Sequence, residues 1–268
     1  MHVVSNKATA IIPKTHSFSV CKPITMPTTE DGKVLPLTLW GAPTSSSTNR
    51  IRVALALKKI PFVLKDPGSP AVMASEEYRK QQHPLNQMPI LEVNGVKLRQ
   101  SVAILEYLEE TFTEVKLLPE DPVKRARIRE VVEIINSFVQ PTQNSGILKV
   151  IAEHDKELAV FLPAVFPNPD TGELAPYSGG DANLFPQRFI HKGFRAIESL
   201  LAQNSEKFCF GDEPTLAECF LVPQILGAKR VKIADVKSTY PNLYRIYENV
   251  IGIEEVKATL SDILTLFG

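Results

Sequence analysis

Three serines and a threonine in a row, Ser45-Ser46-Ser47-Thr48, stand where a short apolar run gives way to a helical pattern. The first turn of a helix leaves backbone N–H groups unpaired and carries about half a positive charge, so an anion is favoured there. A hydroxyl at that spot can donate to a bound thiolate and hold it ionised, as positive surroundings do for cysteine thiolates. The same residues serve equally as N-caps and a polar turn, the commoner use of such a cluster. Gln100-Ser101 poses the same choice at the start of a later helix. There Ser101 reads as the N-cap, and the neighbouring N–H groups can receive a carboxylate.

Elements that would position these residues are legible on either side. VLPLTLW (34–40) is a short β-branched and leucine-rich run that ends in the turn cluster GAPTSSS. TNRIRVALALKKI carries Ile51, Ala54, Leu55 and Leu57 at near-helical spacing, with Lys58 and Lys59 in its last turn. PFVLKDP reads as a second strand, and SPAVMASEEYRKQQHP as a loop with a polar helical stretch. In PILEVNGVKLRQ two strands flank Asn94-Gly95, a pair able to take positive φ in a two-residue hairpin turn. SVAILEYLEETF follows as an amphipathic helix with Val102, Ile104, Leu105 and Leu108 on one side. This order is thioredoxin-like, its first two strands joined by the helical crossover that a parallel pair requires. In that layout the Met88-Pro89 bond is cis and turns the Met88 backbone toward an extended peptide ligand, although few X-Pro bonds are cis.

TEVKLLPEDP reads as a linker, and from Pro122 the texture changes. PVKRARIREVVEIINSFVQ is helical, with proline in the first turn where its missing N–H costs nothing. RFIHKGFRAIESLLAQ, PTLAECFLVPQILGAKRV and YPNLYRIYENVIGIEEVKATLSDILTLF are helical too, with no strand pair among them. The expectation is a thioredoxin-like α/β domain over 34–113 and an all-helical bundle over 121–268. A Pro- and Gly-rich insertion at about 155–187 reads as a lid or a surface excursion. Thr215-x-x-Glu218 is a capping box. Arg230, at a helix end, either complements the dipole or faces a pocket. Gln140, beside Pro141, either caps a helix break or faces the same pocket.

Bulk properties set limits. A chain of 268 residues suits two compact domains. Thirty basic residues cancel thirty acidic ones, so bulk charge favours neither nucleic acid nor an anionic membrane. No apolar run approaches the ~18–20 residues that cross a bilayer. Cys21, Cys209 and Cys219 are too far apart for a zinc site or a disulfide framework, so reducing, cytoplasmic surroundings and no metal are expected. Residues 1–33 read as a flexible extension, or as a start upstream of a functional Met26. They lack a long apolar centre and contain no arginine, unlike a secretory signal or a mitochondrial transit peptide.

Four separated stretches together resemble the zeta-class glutathione transferases, also called maleylacetoacetate isomerases. SSSTNRIRVALALK resembles their first signature, and NQMPILEVNGVKLRQSVAILEYLEE their glutathione-binding hairpin and helix. FVQPTQNSGILKVI and FCFGDEPTLAECFLVPQILGAKRVKI resemble two stretches of their helical domain. The resemblance implies glutathione as cofactor, with Ser45 activating its thiol and Ser46 and Ser47 beside it. It places Met88, before Pro89, against the cysteinyl main chain, and Gln100 and Ser101 at the γ-glutamyl end. Gln140 and Asn144 then face glutathione or substrate, Arg50 closes the first signature, and Arg230 holds a substrate carboxylate. The implied reaction is cis–trans isomerisation of a conjugated unsaturated keto acid by thiolate addition, bond rotation and elimination. Conjugation of glutathione to a small electrophile is the close alternative, and a non-catalytic binding protein a second one. A homodimer is implied as well. The chain departs from the family at Thr44 for an arginine, Ser47 for a cysteine, Asn49 for an aromatic and Met73 for a glutamine. Loss of the cysteine weakens a dehalogenase reading, which needs a protein thiol.

Overall fold

The computed structural model describes residues 36–154, 184–203, 206–233 and 235–267. The 1–33 extension, Cys21 and most of the Pro-rich insertion lie outside the described residues. Four short strands, β1 (Leu37–Trp40), β2 (Phe62–Lys65), β3 (Ile90–Val93) and β4 (Val96–Arg99), form one sheet in the order β2-β1-β3-β4. β1 and β2 are parallel, Leu37 opposite Phe62, and helix α1 (Ser46–Leu57) crosses between them. β3 runs antiparallel to β1 and to β4, turning through Asn94 and Gly95 at φ 50° and 79°. Those are the positive angles a tight hairpin needs to match the strand twist.

Between β2 and β3 lie two short helices, α2 (Pro70–Met73) and α3 (Glu76–Gln81), capped by Ser69 and Ser75. Helix α4 (Ser101–Thr111) follows the hairpin. The remaining elements are α5 (Pro122–Glu133), α6 (Ser145–Glu153), α7 (Leu184–Leu200), α8 (Leu216–Arg230), α9 (Val236–Thr239), α10 (Pro241–Ile251), α11 (Glu254–Thr259) and α12 (Ser261–Phe267). A thioredoxin-like unit thus precedes a helical one.

Three details differ from the sequence reading. The helix from Pro122 does not continue evenly to Gln140; it widens into a π-helical turn over Ile134–Val139 and tightens into a 3-10 turn over Gln140–Gln143. Pro141 has no N–H to give and its ring crowds the carbonyl four residues back, which disfavours a regular helix there, although α8 continues past Pro223. α7 begins at Leu184, inside the stretch assigned to the insertion. α1, legible in the sequence only at its apolar positions, is buried at every position from Thr48 to Leu57. It is enclosed by α4, α8 and α11, so even its arginines are covered.

Packing between elements is close. A Cβ on Gly193 of α7 would lie 2.1 Å from Val139 Cγ2, so only glycine lets α7 reach the π-helical turn. The capping box at α8 forms as expected, and the Glu218 carboxylate also accepts the Cys209 N–H at 2.7 Å. Among the described residues of this half the only β-pairing is a single bridge, Phe208 to Gly211. No described helix is long and apolar enough to cross a membrane.

The connection between the two units is held by a buried charge pair. Lys58 Nζ lies 2.7 Å from Glu109 Oε2 and donates to the carbonyls of Phe112 and Val115. Glu109 in turn accepts the N–H groups of Leu117 and Leu118, and Leu117 accepts from Leu216 N–H at the start of α8. Removing one member of such a pair strands the other without solvent. Lys58→Met is therefore expected to destabilise the fold by about 3–5 kcal/mol in equilibrium urea unfolding. A loss smaller than about 1 kcal/mol would place the pair with surface ion pairs instead.

Candidate active site

β1 hands over to α1 at Gly41, where a Cβ would sit 2.4 Å from Thr48 Cγ2. That crossing brings the helix start against the end of the sheet. In the intervening turn Ser45 N–H donates to Ala42 C=O at 3.0 Å. Ser45 is the N-cap of α1, and its Oγ accepts the Thr48 N–H at 3.2 Å. A hydroxyl that accepts on one side keeps its hydrogen for donation on the other. Cap and donor are therefore compatible roles for one serine.

A cavity of about 990 Å³ opens in front of this helix start. Its wall from the sheet unit includes Ser45, Ser46, Ser47, Met88, Pro89, Gln100 and Ser101. Its wall from the helical unit includes Gln140, Asn144 and Arg230. The residues to which the resemblance gives a place in the site all border this one space, Arg50 among them. The Met88-Pro89 bond is cis, and Met88 Sδ accepts the Ala42 N–H at 3.2 Å, joining the hairpin approach to the Ser45 turn.

Ser101 departs from expectation. The N-cap of α4 is Gln100, which makes no side-chain capping bond, and Ser101 is the first helical residue. Gln100 is held at φ 68° and ψ 120°, a region costly for a residue with a Cβ, of order 1–3 kcal/mol, and typical of ligand clamps. The Ser101 hydroxyl instead accepts from Arg50 Nη1 at 3.0 Å. The same nitrogen donates to Asn136 Oδ1 at 2.8 Å, and the guanidinium lies 4.3 Å from the Phe220 ring centroid. Arg50 is 1% exposed, and its Nε and Nη2 have no hydrogen-bond partner among the described residues. Burial pushes this guanidinium down to about 9. Arg50 is thus a brace beneath the site, because its turn of α1 packs inward against α4 and α8.

Arg230 ends α8 as an exposed side chain, and it also borders a narrow gap shared with Thr44 and Ser46. Met73 borders the cavity where the resemblance implies glutamine. Sequence reasoning missed Asn136 and Gln143, which border the cavity four residues before and three after Gln140. Helical spacing from Gln140 was the available signal. It also missed His83, buried in the wall with Nδ1 accepting the Leu85 N–H at 3.1 Å. Cys209 and Cys219 are buried away from the cavity, and burial, with Glu218 beside them, pushes both thiols well up. Among the described residues no His, Cys, Asp and Glu group is arranged to hold a metal ion.

Comparison with known proteins bears on this geometry. Residues 35–110 match the family model described as glutathione S-transferase, N-terminal domain, and residues 190–249 the one described as its C-terminal domain. A probable maleylacetoacetate isomerase 1 of Drosophila melanogaster is 37% identical over 220 residues, covering 80% of this chain and 77% of that one. A solved maleyl pyruvate isomerase, a bacterial zeta-class glutathione S-transferase, superposes with a TM-score of 0.69 at 26% identity. It covers 83% of this chain and 95% of the other. The maleylacetoacetate isomerase of Anaeromyxobacter dehalogenans 2CP-1, solved with GSH bound in its active site, gives 0.65 at 31% identity, covering 84% and 94%.

The His83 ring generates a pH dependence. Burial, aided by the Arg99 charge, lowers its value below the ordinary 6.5. Between 6.5 and that lower folded value the unfolded chain binds more protons, so stability falls as pH drops through the window. His83→Asn supplies an oxygen acceptor for Leu85 N–H that does not titrate. The wild type should therefore lose more of its urea midpoint between pH 7 and 5 than this variant; identical losses would place the titration elsewhere.

Proposed function

The chain belongs to the glutathione S-transferase family, on its zeta-class maleylacetoacetate isomerase branch, and we propose that it is a glutathione-dependent cis–trans isomerase of a conjugated unsaturated keto acid. The observation that carries this reading is Ser45, whose Oγ is engaged with Thr48 N–H on the helix side and borders the cavity on the other. Glutathione, when bound, supplies a thiolate that adds to the cis double bond and leaves after rotation, so it is not consumed.

The residues fit that tripeptide. A space of about 990 Å³ is at the upper end of small-molecule sites and has room for a second molecule. The unpaired N–H groups opening α4, with the Arg50 charge behind Ser101, suit the γ-glutamyl carboxylate. Met88 and Pro89 border the path from there to Ser45. Ser46 and Ser47 extend the polar edge at the positive end of α1.

This chain's own work is then electrostatic. Ser45 donates to the sulfur while the α1 N-terminus favours its charge, which keeps the thiol ionised near neutrality. Arg230 can receive a substrate carboxylate in bidentate fashion, orienting as well as attracting it. Gln140 and Asn144 supply neutral polar groups on the same wall. Neither described cysteine borders the cavity, so a mixed disulfide between protein and glutathione has no partner among the described residues. The burial of Cys209 and Cys219 accords with the reducing, cytoplasmic surroundings expected. A division into 34–113 and 121–268, and a homodimer, complete the reading by family likeness.

Ser45→Ala should lower kcat about 10²–10³-fold with a cis keto acid, the usual effect of losing one well-placed donor, while calorimetry still detects glutathione uptake. Full turnover by this variant would remove Ser45 from the chemistry. Arg230→Gln should raise the KM for the acid about tenfold or more, the worth of a charged hydrogen bond, and leave glutathione affinity in place. Glutathione recovered unchanged after turnover marks isomerisation; loss of one equivalent per product marks conjugation instead.

A further inference from the structure

Behind the Ser45 turn runs a chain of hydrogen bonds that reaches the C-terminal helix. Asn49 is 2% exposed, and its Nδ2 donates to the Pro43 carbonyl at 2.7 Å. Its Oδ1 accepts from Arg52 Nη1 at 2.9 Å. Arg52 is 4% exposed, and its Nη2 donates to both carboxylate oxygens of Asp262, at 2.9 and 3.0 Å, and to the Thr259 carbonyl. Asp262 lies in the first turn of α12, whose Ile263 and Phe267 border the narrow gap shared with Thr44, Ser46 and Arg230.

An amide has a donor end and an acceptor end, and only one orientation satisfies both neighbours here. Arg52 can only donate, so it must face Oδ1 and thereby aims Nδ2 at Pro43. Pro43 lies in the turn whose other anchors are Ala42 N–H on Met88 Sδ and Ser45 N–H on Ala42 C=O. We propose that Asn49 is the positioning residue of the turn that carries Ser45, and that Arg52 and Asp262 set its amide from the C-terminal helix. This rests on the thiol-activating role given to Ser45 above. Misplacing a catalytic group by about 1 Å costs on the order of 10²-fold in rate, so a swivel of this turn is consequential.

The test compares the intact protein with Asn49→Leu, Asn49→Asp, Asp262→Ala and Asp262→Glu, using glutathione as the probe. Asn49→Asp keeps an acceptor for Arg52 but turns an oxygen toward the Pro43 carbonyl. Calorimetry gives glutathione affinity, ultraviolet absorbance at neutral pH gives the thiolate fraction of the bound tripeptide, and turnover gives kcat and KM separately. Both Asn49 variants should lose most of the thiolate signal and about tenfold or more in kcat, with glutathione Kd within about threefold. Asp262→Ala should move the same way by less, and Asp262→Glu should recover. An unaltered thiolate signal in a folded Asn49→Asp protein overturns the inference, even if stability has dropped. Should Asn49→Leu fail to fold, Asn49→Asp and the Asp262 pair decide. Wild type that takes up no glutathione overturns the Ser45 reading and this inference together. Wild type that binds and ionises it, with variants that match, overturns this inference alone.

Discussion

The unpaired N–H groups at the start of α1 are the constraint on which the rest of the structure depends. A helix cannot satisfy its own first turn, and α1 is enclosed from Thr48 onward by α4, α8 and α11. Its positive end can therefore open only forward, into the cavity. Ser45 closes one of these groups with its oxygen, which leaves its hydrogen available for donation. Burying the body of the helix is what makes its end available.

The same burial explains Arg50. A charge with 1% exposure and no carboxylate in contact among the described residues would be costly if it did nothing more than fill space. It spends one nitrogen on Ser101 and Asn136, which come from the two units, and rests on Phe220 of α8. The Ser101 end of the cavity is thereby tied to the helical unit that forms its far wall. Lys58 and Glu109 do the equivalent for the connecting chain. Both junctions use a cation on α1 or at its end, so the geometry between the units is referred to one helix.

The departures from the family signature look different once their neighbours are known. Asn49 reads in the sequence as the loss of an aromatic ring, yet in the fold it is a bridging amide between Pro43 and Arg52. Ser47 removes a thiol from a cavity wall that no described cysteine replaces. Met73 puts an apolar group on the wall where a glutamine is implied. The charged and hydroxyl groups assigned to chemistry, Ser45, Ser101 and Arg230, remain at the same cavity.

Local signals determined much of this protein from the sequence: the strand–helix–strand order, the Asn94-Gly95 hairpin, the capping box at Thr215 and the serine cluster at a helix start. Each depends on residues within a few positions of one another, through period, φ preference or capping, and so is written along the chain. Resemblance added the identity of the cavity residues, since four motifs in order say which surfaces converge. Tertiary structure alone decided that Ser101 is held by Arg50 rather than capping α4, that Pro141 turns a helix through π and 3-10 geometry, and that His83, Asn136 and Gln143 join the site. It alone revealed the path from Asp262 to Pro43. Those features pair residues tens to hundreds of positions apart, and hydrogen-bond partners at that separation are chosen by packing, which no window along the chain contains.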